Sequence, residues 1–587
     1  MCFDACMVSQ ARSELRDGMR VDWDAPIEMS DGIVLRADVF RPDGDGRYPA
    51  ILTHGPYAKG LSFQVGSPPQ WKSLEDSYPD AVAGSTNAYQ VWETVDPEKW
   101  VPDGYVCVRV DSRGAGRSPG YLNPFSALET QDYYECIEWA ATQPWCNGKV
   151  GLCGISYYAM NQWQVAGLQP PHLAAIIPWE GASDFYREFT GHGGIPGTFL
   201  ELWVPPMIQA IQHGVGEAGG TSSLTGELIA GPDTLSDEER AANRYDLAGA
   251  QRANPLDGEF YRERSADFSK IEIPFLSSSN WSHPLHTRGN FEAYTESASK
   301  QKWLEVHGYE HWVEFYTDYG VRLQKRFLGH FLKGEDTGWA EQPPVHLRVR
   351  HVDGTFVDRA EQEWPLARTE WTKLYLDAER GTLERDPVAD AGSVSFEALE
   401  EGVTFIGAAL EQQTELTGPS AAKLFVSSST VDADLFVVLR ILDLDGNDVT
   451  FLSAVGDPNG LIANGWLRAS QRKLDPAKSL PHRPWHAHDE TQRLTPGKPV
   501  EVEVEIWPTS VIVPAGYRVA LSVWGKDFEL PGDGPWPEVW GQQLRGNGMI
   551  LHNGPRPQGI YDGITTVSTG GDEQSYLLLP VVPPTTN

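Results

Sequence analysis

KVGLCGISYYAMNQW, running from Lys149 to Trp163, is the stretch from which the fold is read. Its first half is an apolar run of strand length, its second half suits a helix, and Gly154-Ile155-Ser156-Tyr157-Tyr158-Ala159 lies between them. A strand that turns tightly into a helix with serine at the apex is a nucleophile elbow, and so crowded a turn calls for small neighbours. Only the first glycine of the common G-x-S-x-G is present. Tyr158 stands where the second is expected, and the small residue comes one place later, at Ala159. On either side of this stretch, short apolar runs (VLRADVF, YPAILTH, YVCVRVD, LAAIIPW, IPFLSSS, KWLEVH) alternate with helix-length amphipathic segments from Val34 to about Lys333. That alternation predicts a mostly parallel sheet with helices on both faces. One helix is signed at its start by Ser126-Ala-Leu-Glu129, the S-x-x-E form of a capping box, and stops before Pro144.

Between Phe185 and about Ile271 the alternation breaks into a Gly-rich, helix-prone stretch, expected to lie over the strand ends as a lid. After about Gln342 strand follows strand with no helix-length crossover, and VEVEVEIW at Val500 to Trp507 alternates without a break. The expected architecture is α/β: an α/β-hydrolase catalytic domain at 1–184 and 272–341, a helical lid (cap) insertion at 185–271, and a C-terminal all-β jelly-roll domain at 342–587.

Composition narrows the function. The chain of 587 residues carries 47 Lys plus Arg against 81 Asp plus Glu, a formal charge of −34. So negative a surface excludes a nucleic-acid or anionic-membrane binder, both of which need clustered cations. With 40% hydrophobic residues and 21 Trp, the chain buries sizeable cores and is no acidic solvating tail. The six cysteines, Cys2, Cys6, Cys107, Cys136, Cys146 and Cys153, form no C-x-x-C pair, so neither a zinc ribbon nor a disulfide scaffold is expected. The start, MCFDACMVSQARSELRD, lacks the basic and apolar regions of a signal peptide, and no apolar stretch reaches membrane-spanning length. A cytoplasmic protein is expected, with no membrane and no nucleic-acid partner; a homo-oligomer is compatible with the sequence.

A serine hydroxyl needs a base within hydrogen-bond reach. KWLEVHGYEHW offers His307 on a strand and His311 in the loop after it, and the order nucleophile, acid, histidine, with the histidine beyond the last strand, selects His311. His307 is expected to be structural. The backbone N–H of Tyr157, next after the nucleophile, is the natural oxyanion donor.

The elbow variant S-Y-x-A, together with SDGIVLRADVFRP, THGPYAKG, DSRGAGRSPG, WLRAS and VEIWPTSVIVPAGYRVAL in this order, resembles the CocE/NonD family of serine hydrolases. That family holds cocaine esterase, α-amino-acid ester hydrolases and Xaa-Pro dipeptidyl peptidases. The resemblance agrees with His311 and implies a second oxyanion donor, the phenol of Tyr57 in HGPYAKG. It also implies an aspartate in a W-x-D context before the histidine, but here Trp281-Ser282 is followed by His283, and no carboxylate appears from Leu276 until Glu292. Adjacent parallel strands deliver their carboxyl ends to one rim of a sheet, so Glu180, in LAAIIPWEGASDF, is the candidate acid. The alternative is that Glu180 braces backbone or lid and the site is a Ser-His dyad. Asp184 reads as a helix N-cap.

His283, His286 and His311 suggest a metal cluster, against which stand Pro284 and the lack of carboxylate ligands; HRPWHAHDE at His482 to Glu490 reads as a polar loop. No metal or cofactor is expected. Trp179, Trp281 and Trp312, with Trp203, are candidates to line an apolar pocket. The expected activity is cleavage of carboxylic ester or amide bonds of small substrates through an acyl-enzyme. The alternatives are an Xaa-Pro dipeptidyl peptidase, which needs an acidic anchor in the lid, and a catalytically impaired or carbohydrate-binding protein on the same scaffold.

Overall fold

Val106–Asp111 (VCVRVD) is buried at every position, as a strand covered on both faces must be. In the computed structural model, which describes residues 12–584 except 533–535, 540, 547, 553 and 555, that strand lies inside a large sheet. Arg12–Arg16, Met19–Glu28, Val34–Pro42 and Val106–Asp111 pair antiparallel in turn. From Val106–Asp111 the sheet continues in parallel through Tyr48–Gly55, Cys146–Ile155, Leu173–Trp179, Phe275–Asn280, Lys302–His307 and Val345–His351. Parallel neighbours point their carboxyl ends the same way, so the loops after residues 55, 155, 179, 280 and 307 meet on one rim.

The helix Ala127–Thr142 begins where its sequence signal stands: the Ser126 hydroxyl accepts the Glu129 N–H at 3.2 Å. The reciprocal half of the capping box does not form. The Glu129 carboxylate instead accepts the Phe125 N–H at 2.5 Å and the Tyr157 hydroxyl at 2.6 Å, so tertiary partners displace the local one. Asp184 does cap a helical turn, its carboxylate accepting the N–H groups of Tyr186 and Arg187.

Residues 180–274 leave the sheet and fold into short helices, among them Phe199–Trp203, Asp237–Ala242 and Leu247–Ala253, and a two-residue ladder of Gly191–His192 with Ile195–Pro196. Beyond Val345–His351 the chain is mostly strands. Val500–Val513 pairs antiparallel with Thr414–Ser428, and its sequence alternation becomes a spatial one. Val502, Val504 and Ile506 enter a core with Leu424, Val426, Val437, Leu439 and Leu521, while Glu501 is exposed and meets Lys423 at 2.7 Å.

Val345–His351 also pairs in parallel with Val500–Val513, so the two parts share a sheet edge. Cys107, Cys136, Cys146 and Cys153 are buried free thiols, and Cys2 and Cys6 lie outside the described residues. Among the described residues no helix is long and apolar enough to cross a membrane.

Candidate active site

Ser156 sits between the strand Cys146–Ile155 and the helix Tyr157–Ala166 with φ +56° and ψ −112°, backbone that a non-glycine residue adopts only under constraint. The constraint is visible: the Ser156 N–H reaches the carbonyls of Trp179 and Glu180, each at 3.1 Å. A Cβ at Gly154 would stand 2.6 Å from the Tyr158 Cβ, and one at Gly181 would stand 2.7 Å from the Ala159 Cβ. These approaches are why residues 154 and 181 are glycine. Tyr158 fits in place of the usual second glycine because residue 55 opposite is Gly; a Cβ there would lie 2.7 Å from the Tyr158 ring.

His311 follows the strand Lys302–His307, and its Nδ1 lies 2.7 Å from Oε2 of Glu180. Glu180 is wholly buried at the end of Leu173–Trp179. Burial alone would raise its pKa, but His311 and His307 outweigh that and hold the carboxyl at about 2. Burial would likewise lower the pKa of His311, and Glu180, helped by Glu93, reverses the sign and lifts it to about 9. His307 lies between Oε1 of Glu180 at 2.9 Å and Oε2 of Glu305 at 2.8 Å, and against the pull of burial this pair of carboxylates raises its pKa to about 10. It is therefore a buried cation that balances the two acids.

The Tyr57 hydroxyl accepts the Trp203 indole N–H at 3.1 Å. Indole only donates, so the phenolic proton of Tyr57 is left free to point elsewhere. Burial first, and then Glu93, raises the Tyr57 pKa well above its ordinary value, which keeps that proton on. The Tyr157 N–H, first in its helix, has no partner within the helix and carries the positive end of the helix dipole. A cavity of about 80 Å³ opens here, lined by Tyr57, Ser156, His286 and His311 and walled by Trp92, Phe199, Trp203, Met207, Leu285, Trp312 and Met549.

Two of the expected pocket residues lie elsewhere. Trp179 is fully buried beneath the site, stacked on His307 with ring centres 5.3 Å apart, so its indole is core. Trp281 packs on Phe291 and Trp364, donates to the Arg348 carbonyl at 2.7 Å, and faces a separate cavity of about 60 Å³ behind His283. A third difference concerns Ser156. Ser156 Oγ meets Nε2 of His286 at 3.0 Å rather than His311, whose Nε2 faces Oε1 of Glu93 at 3.4 Å. The cause is local: Glu93, at φ +61° and with its own carbonyl accepting the Ile155 N–H, comes up beside the elbow and takes the face of His311 open to the serine. No motif or spacing marks Glu93, and the sequence points to His286 only as a metal ligand.

His283, His286 and His311 do bring ring nitrogens within 4.8 Å of one another. Yet the Leu285 N–H donates to Nδ1 of His283 at 3.1 Å and the Ala182 N–H to Nδ1 of His286 at 2.8 Å. In a neutral ring with Nδ1 accepting, Nε2 carries the proton, so two of the three nitrogens that remain are donors and do not suit a cation.

Two loops of the site are tied to the C-terminal part. The Ala454 carbonyl accepts the His311 N–H at 2.8 Å, and the Ala454 N–H donates to the Ser282 hydroxyl at 3.3 Å. A second tie runs from Asp527 through His552 (2.8 Å) and His192 (2.7 Å) to the Pro284 carbonyl (2.7 Å).

The sequence matches the X-Pro dipeptidyl-peptidase (S15) family over residues 31–313 and the C-terminal non-catalytic domain of X-Pro dipeptidyl-peptidase over residues 337–578. A CocE/NonD family hydrolase from Staphylococcus aureus is 34% identical, with a TM-score of 0.82 over 96% of this chain and 94% of its own. The chain belongs to the CocE/NonD family of hydrolases. It is a serine hydrolase with a separate C-terminal domain of mostly strands. Among family relatives, cocaine esterase of Rhodococcus sp. is 24% identical over 95% of this chain and 97% of its own length. The Xaa-Pro dipeptidyl-peptidase of Streptococcus gordonii is 22% identical over 84% of this chain and 72% of its own.

Proposed function

We propose that this CocE/NonD hydrolase cleaves carboxylic ester or amide bonds of small substrates through an acyl-enzyme on Ser156. The carrying observation is the imidazole of His311 held through Nδ1 by the ionised, buried Glu180 at 2.7 Å, on the rim that also presents Ser156. In the neutral ring that bond keeps the proton on Nδ1, so that Nε2, once clear of Glu93, can take the Ser156 proton. A rotation of the serine side chain and a shift of Glu93 on substrate entry would bring Oγ and Nε2 together, as apo sites often require. Oγ then attacks the carbonyl carbon, and the phenol of Tyr57 and the amide of Tyr157 receive the oxyanion. His311 passes the proton to the departing alcohol or amine, and water repeats the cycle to free the acid.

The strand order and elbow support an α/β-hydrolase domain at 1–184 and 272–341, with 185–271 as its lid and a jelly roll at 342–587. The lid residues at the cavity, Phe199, Trp203 and Met207, carry no charge, and the carboxylate of Glu93 in its wall faces His311. These lid residues therefore offer no acidic anchor for the N-terminal ammonium of an Xaa-Pro peptide, and an uncharged apolar group is favoured there. Hydrolysis of a p-nitrophenyl ester against release from an Xaa-Pro p-nitroanilide separates the two readings. Labelling by a fluorophosphonate, abolished in Ser156→Ala, tests the nucleophile; an unlabelled wild type refutes the proposal.

A further inference from the structure

His286 is the side chain that touches the nucleophile's oxygen, and its chemistry follows from what touches its other nitrogen. The Ala182 N–H is a donor in every protonation state, and at 2.8 Å it obliges Nδ1 of His286 to accept. Nε2 therefore carries the ring's one proton and donates to Ser156 Oγ at 3.0 Å. For His286 to serve as the base, Nδ1 would have to hold the proton and oppose the Ala182 N–H in a site that is 1% exposed, leaving a buried donor unpaired. The neutral state is also enforced: burial first, then the charge of His311, drives the His286 pKa well below its ordinary value. The ring further stands at the N-terminus of the helix Thr287–Glu296, whose dipole disfavours a second positive charge.

We propose that His286 is a catalytic hydrogen-bond donor to the nucleophile, holding Ser156 Oγ at rest and carrying part of its negative charge while the bond from Oγ to the acyl carbon forms and breaks. The proposal rests on the acyl-enzyme reading above. A serine oxygen has one proton and two lone pairs, so Oγ can go on accepting from His286 when Nε2 of neutral His311, clear of Glu93, takes its proton. In acylation that proton moves on to the leaving group. In deacylation it comes from the attacking water and returns through His311 to Oγ as the acyl bond breaks. His286 keeps its own proton throughout.

The test compares His286→Leu, which has no donor, with His286→Gln, whose amide N–H reaches close to the place of Nε2. With p-nitrophenyl acetate, the Leu variant is expected to lose about 100-fold in both the acylation burst and the deacylation rate, the scale of removing one donor from a developing oxyanion. The Gln variant is expected to recover most of that loss. A Leu variant within about twofold of wild type, far below the donor scale, overturns the proposal. So do equal losses in Leu and Gln variants that melt like wild type, because ring shape rather than the N–H would then matter. Should neither variant fold, nitrogen NMR of histidine-labelled wild type decides: a bare Nδ1 and a protonated Nε2 on His286 at neutral pH support the proposal, and the opposite tautomer or an imidazolium overturns it. A wild type that takes no fluorophosphonate defeats the acyl-enzyme reading itself, whereas a labelled wild type with an unaffected Leu variant defeats only the role of His286.

Discussion

Glu180→Gln removes one charge and few atoms from the centre of the site. Glu180 Oε2 faces His311 at 2.7 Å and Oε1 faces His307 at 2.9 Å, so the substitution keeps the packing and deletes the attraction. For unit charges about 4 Å apart at an effective dielectric constant near 20, that attraction is about 4 kcal/mol. It acts in full only when His311 is charged, as it is at the transition state. At about 1.4 kcal/mol per decade, kcat should fall about 10³-fold above about pH 9, where resting His311 is neutral. At lower pH the resting ring is already charged and feels the same attraction, so the loss shrinks. A second signature is independent of that size. In the proposed mechanism neutral His311 is the base, so kcat/KM of the wild type should rise with pH as His311 loses its proton near pH 9. Without Glu180 the desolvation of His311 is opposed by Glu93 alone, and the rise moves to lower pH. The assay is hydrolysis of a p-nitrophenyl ester from about pH 5 to 10, a range that brackets both positions of the rise, with thermal melting as the control for folding. A folded Glu180→Gln variant that loses less than about tenfold in kcat at the alkaline end of that range, or whose pH midpoint does not fall, refutes the assignment.

Tyr57→Phe removes the free phenolic proton while leaving the ring, and should lower kcat about 10²- to 10³-fold with little change in KM; a change confined to KM would show that Tyr57 only packs. Gly55→Ala drives a methyl to 2.7 Å from the Tyr158 ring and should cost about 1–3 kcal/mol in denaturant unfolding, with Tyr158→Ala relieving the clash; additive losses in the double variant would argue otherwise. His307 has a folded-state pKa raised to about 10 from an ordinary 6.5, so its contribution is complete below about pH 6.5 and is lost as pH rises through 10. Melting temperature should decline across that window in the wild type, and the decline should flatten in His307→Gln.

Much of the placement of the proposed site was legible because it follows from strand ends. The elbow, the loop histidine and an acid at a neighbouring strand end are all consequences of parallel strands sharing a rim, and Ser156, His311 and Glu180 stand on that rim. Local signals were less complete. Ser126 caps its helix, yet Glu129 answers to Phe125 and Tyr157, partners that the S-x-x-E spacing does not contain. Trp179 and Trp281 neighbour the right loops in sequence, but a side chain's direction depends on the pleat and on what packs below, and both turn into cores. Glu93 was invisible because it reaches the site through a loop with positive φ, which leaves no periodicity to read. The role drawn for His286 needed its partner, a backbone N–H that no sequence pattern reveals.

The tie from Ala454 to His311 and Ser282 also orders events in time. A ribosome releases the serine, the acid and the histidine long before residue 454, and His552 later still. The growing chain thus holds Ser156, Glu180, His286 and His311 while the loops bearing His311 and His286 still lack their supports. Hydrolytic power should arrive late in synthesis, when the loops bearing Ala454, Asp527 and His552 close on the rim, so a product truncated before them would carry the reactive groups without their alignment.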